Sequence, residues 1–140
     1  MLAETRAYRL LANDSELNSL FDALRGGKFD KTGQYIQGIF LDDIPDNFKK
    51  VESAPFMRIN PIDENPAIYS DDENLAEEQT IQIDWWCTSA SQSLQIKKLV
   101  DKILKRNGHI QYYSKRYKDP DINLKMNVRK YRVFDFDLEN

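Results

Sequence analysis

Residues 80–87 decide the fold, and they read Thr80-Ile81-Gln82-Ile83-Asp84-Trp85-Trp86-Cys87. Apolar side chains recur at every second position of this stretch and form one face, made of Ile81, Ile83, Trp85 and Cys87. A period of two predicts a β-strand, because successive side chains of a strand point to opposite faces of its sheet. The predicted strand runs almost directly into a helical pattern, so strand and helix are joined by a very short connection.

Two stretches have the apolar spacing of amphipathic helices. The first is predicted from Asn13 to about Arg25, with capping-box spacing at its start and two glycines after its end. The second is predicted from a cap at Ser89 or Ser91 to Asn107. Its apolar stripe is continuous and consists of Ile96, Leu99, Val100, Ile103 and Leu104.

Four further stretches have strand patterns, namely residues 35–41, 56–59, 110–113 and about 124–138. The residues before the first predicted helix, 2–12, are compatible with one or two helical turns. The resulting order predicts a single α+β domain over residues 1–140. We expect a mainly antiparallel sheet of about five strands, with two main helices packed on one face.

The stretch 60–79 has no clear period. It contains two prolines and a run of three acids at Asp71, Asp72 and Glu73. We therefore predict a long, acidic and solvated loop here, and long loops in compact domains are often functional.

Composition excludes several classes of protein. Apolar residues make up 41% and charged residues 31% of the chain, as in an ordinary globular domain. The single cysteine, Cys87, excludes an internal disulfide framework and a multi-cysteine zinc site. A formal net charge of −3 gives no bulk electrostatic reason to bind nucleic acid or acidic lipid. No stretch is long and apolar enough for a membrane span, and we expect no membrane partner.

The charge is unevenly distributed along the chain. Residues 42–78 hold eleven acids and three bases, whereas residues 95–132 hold twelve bases and three acids. One interpretation is two solvated surfaces that partly neutralise each other within one molecule. The other is head-to-tail association, in which the acidic surface of one copy meets the basic surface of the next and can close a ring.

The residues that could support catalysis form no known signature. His109 is the only histidine, and no serine lies in a nucleophile-elbow motif. Carboxylates at Asp84, Asp135 and Asp137 leave a metal-dependent nuclease as a third hypothesis, and a solvated acidic edge is the favoured interpretation of them. No phosphate-binding glycine motif occurs. We therefore expect no enzyme activity, no catalytic residue, no bound metal and no cofactor.

Nucleic-acid binding is the alternative function. The basic stretch 105–118 interleaves cations with Tyr112, Tyr113 and Tyr117, and Arg116 lies among them. Aromatic rings that stack on bases, next to cations that contact phosphates, are typical of single-strand binding proteins. A basic strand edge with core tyrosines is the competing structural interpretation.

Trp85 and Trp86 must face opposite sides of their strand. One ring can fill the core under the helices, and the other then lies on the second face of the sheet. That second ring either anchors an interface, where tryptophans are enriched, or is covered by a loop such as 60–79.

The chain resembles the tail-completion, or tail-terminator, proteins of long-tailed phages and prophages, especially those of low-GC Gram-positive hosts. The resemblance extends over about residues 14–138 and includes the first helix, the acidic loop and the long second helix. Its local phrases are Asp42-Asp43-Ile44-Pro45, Pro55-Phe56-Met57-Arg58-Ile59 and Ile81-Gln82-Ile83-Asp84-Trp85-Trp86.

The resemblance implies a non-enzymatic virion protein without a cofactor, made in the bacterial cytoplasm. It implies a ring, commonly a hexamer, that caps the tail tube and joins it to the head connector. The partners would be further copies of the chain, the major tail protein and the connector. From the charge and aromatic patterns we expect the subunit or tail-tube interface to include Trp86, Asp71, Asp72, Glu73, Arg116, Lys118 and Arg129.

Overall fold

The protein is an α+β domain in its computed structural model, which describes residues 1–70 and 73–135. The helices are α1 (Ala3–Ala12), α2 (Ser15–Arg25) and α3 (Ala90–Arg106), with a short 3-10 helix at Val51–Ser53. The strands are β1 (Ile39–Leu41), β2 (Phe56–Ser70), β3 (Glu73–Cys87), β4 (Ile110–Lys118) and β5 (Lys125–Asp135).

The five strands form one sheet in the order β1-β2-β3-β5-β4. The short β1 is parallel to β2, and every other neighbouring pair is antiparallel. The sheet is therefore mixed but mostly antiparallel, and the predicted fold class and strand number are confirmed. A parallel pair needs a crossover connection, and residues 42–55 provide it between β1 and β2.

The described chain has three α-helices: the two predicted ones and a further helix where residues 2–12 were compatible with one or two helical turns. The extra helix, α1, buries Ala3, Ala7 and Leu11. Two of these residues are small, which is why the apolar pattern there is weak. The caps of the other two helices follow from short polar side chains. Asp14, rather than Asn13, accepts the N–H of Leu17 at 2.8 Å, and Ser89 accepts that of Gln92 at 3.2 Å.

A large core lies between the helices and one face of the sheet. All three helices contribute to it, through residues that include Leu11, Phe21, Ile96 and Val100. The sheet contributes alternate residues of its two central strands and of β5, including Met57, Ile59, Ile81, Ile83, Trp85 and Tyr131. The predicted apolar face of residues 80–87 is thus the face that the helices cover.

A smaller core lies on the opposite face of the sheet. Its buried members are Ile44, Ala54, Phe56, Trp86 and Leu124. The first two belong to the crossover 42–55, and Leu124 precedes β5. The crossover and the residues before β5 therefore cover the part of this second face that carries Phe56, at the start of β2, and Trp86, at the end of β3.

The predicted loop over 60–79 is wrong for the described residues, because β2 continues to Ser70 and β3 begins at Glu73. Register shifts after Pro61 and after Pro66 explain why no regular period is visible in the sequence. The described pairing of β1 with β2 ends at Ile59. Beyond that residue β2 forms an edge of the sheet, and both prolines lie on this edge. Proline is tolerated there because an edge position does not require its missing N–H.

Candidate interaction surface

Strand β4 forms an edge of the sheet, and each of its nine residues is exposed. Among the described strands it pairs with β5 alone. Large side chains remain in solvent along it, and Ile110 and Tyr112 are 46% and 44% exposed. An exposed edge strand presents unpaired backbone groups that can accept another chain, and β4 contains no proline that would prevent this.

The open face of the sheet carries tyrosines next to lysines on β4 and β5. The Lys130 ammonium lies 4.6 Å from the ring centroid of Tyr113, and that of Lys115 lies 5.4 Å from the ring of Tyr117. Both distances are within the range of cation–π contacts. The strand pairing Tyr113 with Lys130 and Lys115 with Val128 places these residues on the side away from the helices. This surface can contact an anionic and partly apolar partner.

Two of the predicted interface residues, Arg116 and Lys118, lie on β4 and are exposed. Their strand partners, Asn127 and Lys125, lie on the same face of β5 as Arg129. Arg116 and Lys118 therefore lie on the helix side of the sheet. Together with the open face, β4 therefore offers positive charge on both of its sides.

Arg129 was predicted to lie at an interface, and this is wrong, because the side chain is buried within the chain. Its guanidinium donates to both carboxylate oxygens of Asp101 on α3, at 2.8 Å each from Nη2. Nη1 donates to Ser114 Oγ at 2.8 Å, and Nε donates to the Tyr131 hydroxyl oxygen at 3.1 Å. The Tyr131 hydroxyl donates in turn to Asp101.

This network, which sequence reasoning missed, ties α3 to the edge strand through Ser114. Burial, with the neighbouring Asp101 carboxylate, raises the pKa of the Tyr131 hydroxyl well above its ordinary value. Tyr131 therefore stays a hydrogen-bond donor at any physiological pH. The only sequence signal was Asp101 itself, an acid adjacent to the buried Val100 in an otherwise apolar helix stripe.

Trp86 was predicted as an interface anchor, and this is wrong, since the ring is 1% exposed. It stacks on Phe56 with 5.2 Å between the ring centroids, and its Nε1–H donates to Asp119 Oδ2 at 2.7 Å. Burial would raise the pKa of the Asp119 carboxyl, but this bond and the N–H groups of Asp121 and Ile122 lower it. The covering segments are the crossover 42–55 and the residues before β5, rather than 60–79.

The acidic residues 60–79 lie on an extension of β2 and β3. In the described pairing, β5 accompanies β3 only from Glu77 onward, and residues 66–70 pair with the start of β3. We call residues 60–70 and 73–79 the acidic arm. Asp63 and Glu64 in the arm are exposed, and Glu73 is the first residue of β3. The predicted interface residues Asp71 and Asp72 lie outside the described residues.

The acidic arm and the basic end of β4 lie at opposite ends of the sheet. Glu77 pairs with Asp135 at one end, whereas Cys87 pairs with Lys125, and Lys125 with Lys118, at the other. Glu77 and Cys87 lie ten residue steps apart, about 30 Å of strand, which is several times the Debye length at physiological salt. Glu77 and Lys118 therefore do not neutralise each other within one molecule, whereas Arg132, which pairs with the Thr80 that pairs with Asp63, lies near the arm.

Cys87 and His109 are both buried, and neither lies in a reactive setting. Burial raises the pKa of the Cys87 thiol, whose sulfur lies 3.1 Å from Ser93 Oγ. A raised pKa disfavours the reactive thiolate. His109, between α3 and β4, is 3% exposed, and its Nδ1 lies 3.1 Å from the carbonyl oxygen of Leu104.

His109 makes the stability of the protein pH-dependent. Burial is the main cause that lowers its pKa below the ordinary value of 6.5. The unfolded chain then binds the proton first, so stability falls as pH drops below about 6.5, by up to about 1.4 kcal/mol per pH unit. We expect the His109→Gln variant to lose less stability between about pH 7 and pH 5 than the wild type, as measured by urea unfolding. Equal losses in both proteins would contradict this origin of the pH dependence.

Of the carboxylates of the nuclease hypothesis, the strand positions of Asp84 and Asp135 lie far apart in the described sheet. Asp84 is buried, and its Oδ2 accepts a 2.6 Å bond from Arg58. It pairs with Val128 on β5, seven positions from Asp135, and Asp137 lies outside the described residues. Within residues 1–70 and 73–135, no group of three or more metal-ligating side chains is assembled.

No family model and no curated protein matches this chain. In the part of the chain that the structure describes, no helix is long and apolar enough to cross a membrane.

Proposed function

We propose that the protein is a non-enzymatic phage or prophage structural protein that assembles as a ring at the end of the tail tube and joins tail to head. The observation that carries the proposal is the separation of charge along one sheet, with the acidic arm at one end and the basic end of β4 at the other. The resemblance of the sequence to tail-completion proteins supplies the setting.

Such polarity favours contacts between unlike surfaces of neighbouring copies. A contact of this kind is heterologous, and it closes into a ring when the rotation between copies closes. Complementary charge steers the approach and excludes wrong registers, because like charges that meet are costly. By the resemblance, the ring is a hexamer located in the virion, with the major tail protein on one side and the head connector on the other.

The test of the proposed function is the particle that forms without the protein. In cells that produce the phage with this gene deleted, we expect separate heads and unjoined tails by electron microscopy. The same gene supplied in trans restores joined particles, and mass measurement on purified tail tubes detects several copies of the chain per tube end. Joined, infectious particles from the deletion strain would contradict the proposal.

A second function, single-stranded nucleic-acid binding, is favoured by one specific observation. Tyr113 and Tyr117 are partly exposed on the open face, and each has a lysine over its ring. Stacking of bases on such rings is tolerant of sequence and combines with phosphate contacts. Binding of a labelled oligonucleotide that weakens steeply with salt, and is lost in Tyr113→Ala, would support this function. No binding at low salt would remove it.

A further inference from the structure

We infer that β4 of each copy receives the acidic arm of the next copy, with Lys115, Arg116 and Lys118 facing the carboxylates of the arm. This inference rests on the proposed ring and names the two surfaces that form it. The occupant of the exposed edge is thus a second copy of this chain.

The first step of the argument is the state of the β4 edge. All nine of its residues are exposed, and its backbone is not interrupted by proline. Proteins protect such edges from unwanted pairing with charged residues, and here the three charges are all positive. An edge protected by cations repels another basic strand and admits an acidic one.

The second step is the composition and position of the acidic arm. Residues 60–79 hold seven acids and no base. The pairs from Pro66 with Glu77 to Ser70 with Glu73 lie beyond the start of the β3–β5 pairing at Glu77. Strand of that length corresponds to about 15 Å, so the arm can contact a neighbouring molecule without a clash between the two sheets.

The third step is the geometry within one chain. By the strand register, Asp63 of the arm and Lys115 of β4 lie four residue steps apart along the sheet and three strands apart across it, about 19 Å, so a copy does not place its own arm on its own Lys115–Lys118 segment. Contacts between identical surfaces are also unfavourable, because they would oppose cations with cations or carboxylates with carboxylates. Opposite charges meet when the arm of one copy contacts β4 of another, and this contact is heterologous in the proposed ring.

The fourth step concerns the kind of contact. Pro61 and Pro66 lie on β2 and donate no backbone hydrogen bond, so a long continuous ladder between β2 and β4 is excluded. Charge pairs at Lys115, Arg116 and Lys118 therefore set the register. The exposed Tyr112 supplies apolar contact area beside them.

The experiment exchanges the charges of the two surfaces. The β4 variant is Lys115→Glu, Arg116→Glu and Lys118→Glu, and the arm variant is Asp63→Lys, Glu64→Lys and Glu73→Lys. Each variant alone should self-associate at least about tenfold more weakly than the wild type, because like charges meet at its interface. An equimolar mixture restores assembly, since each reversed surface then meets its complement. Size is read by analytical ultracentrifugation in solution and by bound mass on purified tail tubes.

A matched control changes the same amount of charge elsewhere. The variant Lys97→Glu, Lys98→Glu and Lys105→Glu alters three exposed lysines of α3 and should assemble as the wild type does. Thermal unfolding of every variant confirms that its fold is retained, and a variant that is unfolded is replaced by its single substitutions.

Three outcomes overturn the inference: wild-type assembly by the β4 variant, failure of the mixture to assemble, and no self-association of the wild type in solution or on tail tubes. Loss of oligonucleotide binding by a β4 variant that assembles normally would assign the edge to nucleic acid instead. The deletion phenotype is independent of these results. Unjoined tails without the gene, together with normal assembly of the β4 variant, would retain the proposed function and reject this contact.

Discussion

Replacing Trp86 with alanine will lower the free energy of unfolding by about 4 kcal/mol, because it empties the centre of the smaller core. The ring is the largest side chain of that core, and it packs on Phe56 and next to Leu124. The smaller core joins the crossover 42–55 to the sheet, so we also expect this crossover to become accessible to proteases in the variant. Urea unfolding at neutral pH and limited proteolysis measure the two effects.

Two further substitutions separate packing from hydrogen bonding. Trp86→Phe keeps an aromatic ring but removes the donor to Asp119. We expect it to lower the free energy of unfolding by about 1 kcal/mol beyond the loss caused by the smaller ring, because the Asp119 carboxylate loses this hydrogen bond. Tyr112→Ala removes an exposed ring from β4 and should change stability by no more than about 0.5 kcal/mol. A Trp86→Ala variant as stable as Tyr112→Ala would contradict the buried position of Trp86.

Asp101→Ala is the second large change, with an expected loss of about 3 kcal/mol, because it leaves the buried Arg129 guanidinium without its counter-ion. The loss comes from the uncompensated charge rather than from the intrinsic strength of the pair. Ser114 also accepts from this guanidinium, so we expect the central part of β4 to show faster amide hydrogen exchange. Unfolding in urea and hydrogen exchange provide the measurements.

The exposed ion pair between Lys102 and Glu16 is the matched control, since Lys102 follows Asp101 on the same helix. The Lys102 ammonium lies 3.4 Å from the Glu16 carboxylate, and both side chains are more than half exposed. Such pairs contribute little, so Lys102→Ala should cost less than about 0.5 kcal/mol. If Asp101→Ala and Lys102→Ala have similar small effects, the Arg129 network does not stabilise β4.

The sequence predicts those elements whose side chains meet a core at regular spacing. The strand over 80–87 and the helix after Ser89 are confirmed for this reason, with β3 extending further toward Glu73. Two elements were predicted incompletely or as another structure, namely α1, expected as one or two helical turns, and the acidic arm, expected as a loop. Helix α1 buries alanines, which give little apolar signal, and the acidic arm is a strand held by backbone pairing, with its register shifted after two prolines.

Site residues were harder to predict than elements, because tertiary contacts decide which polar side chain is buried. The pattern correctly placed Trp85 and Trp86 on opposite faces. It could not show that a parallel β1–β2 pair brings the crossover over Trp86, since β1 is only three residues long. The sequence placed Arg129 among the cations of a basic surface. In the structure it lies on the same face of β5 as Tyr131, the face that packs against the helices, and it donates to Asp101.

The fluorescence of the two adjacent tryptophans of β3 reports separately on the two cores of the protein. Trp85 lies in the core under the helices and Trp86 in the core under the crossover, and the sequence contains no other tryptophan. In the Trp86→Phe variant the remaining tryptophan, Trp85, reports on the core under the helices. In the Trp85→Phe variant the remaining Trp86 reports on the core under the crossover. If both variants unfold in the same transition, the two cores unfold as one cooperative unit. If the transitions differ, one core is lost before the other.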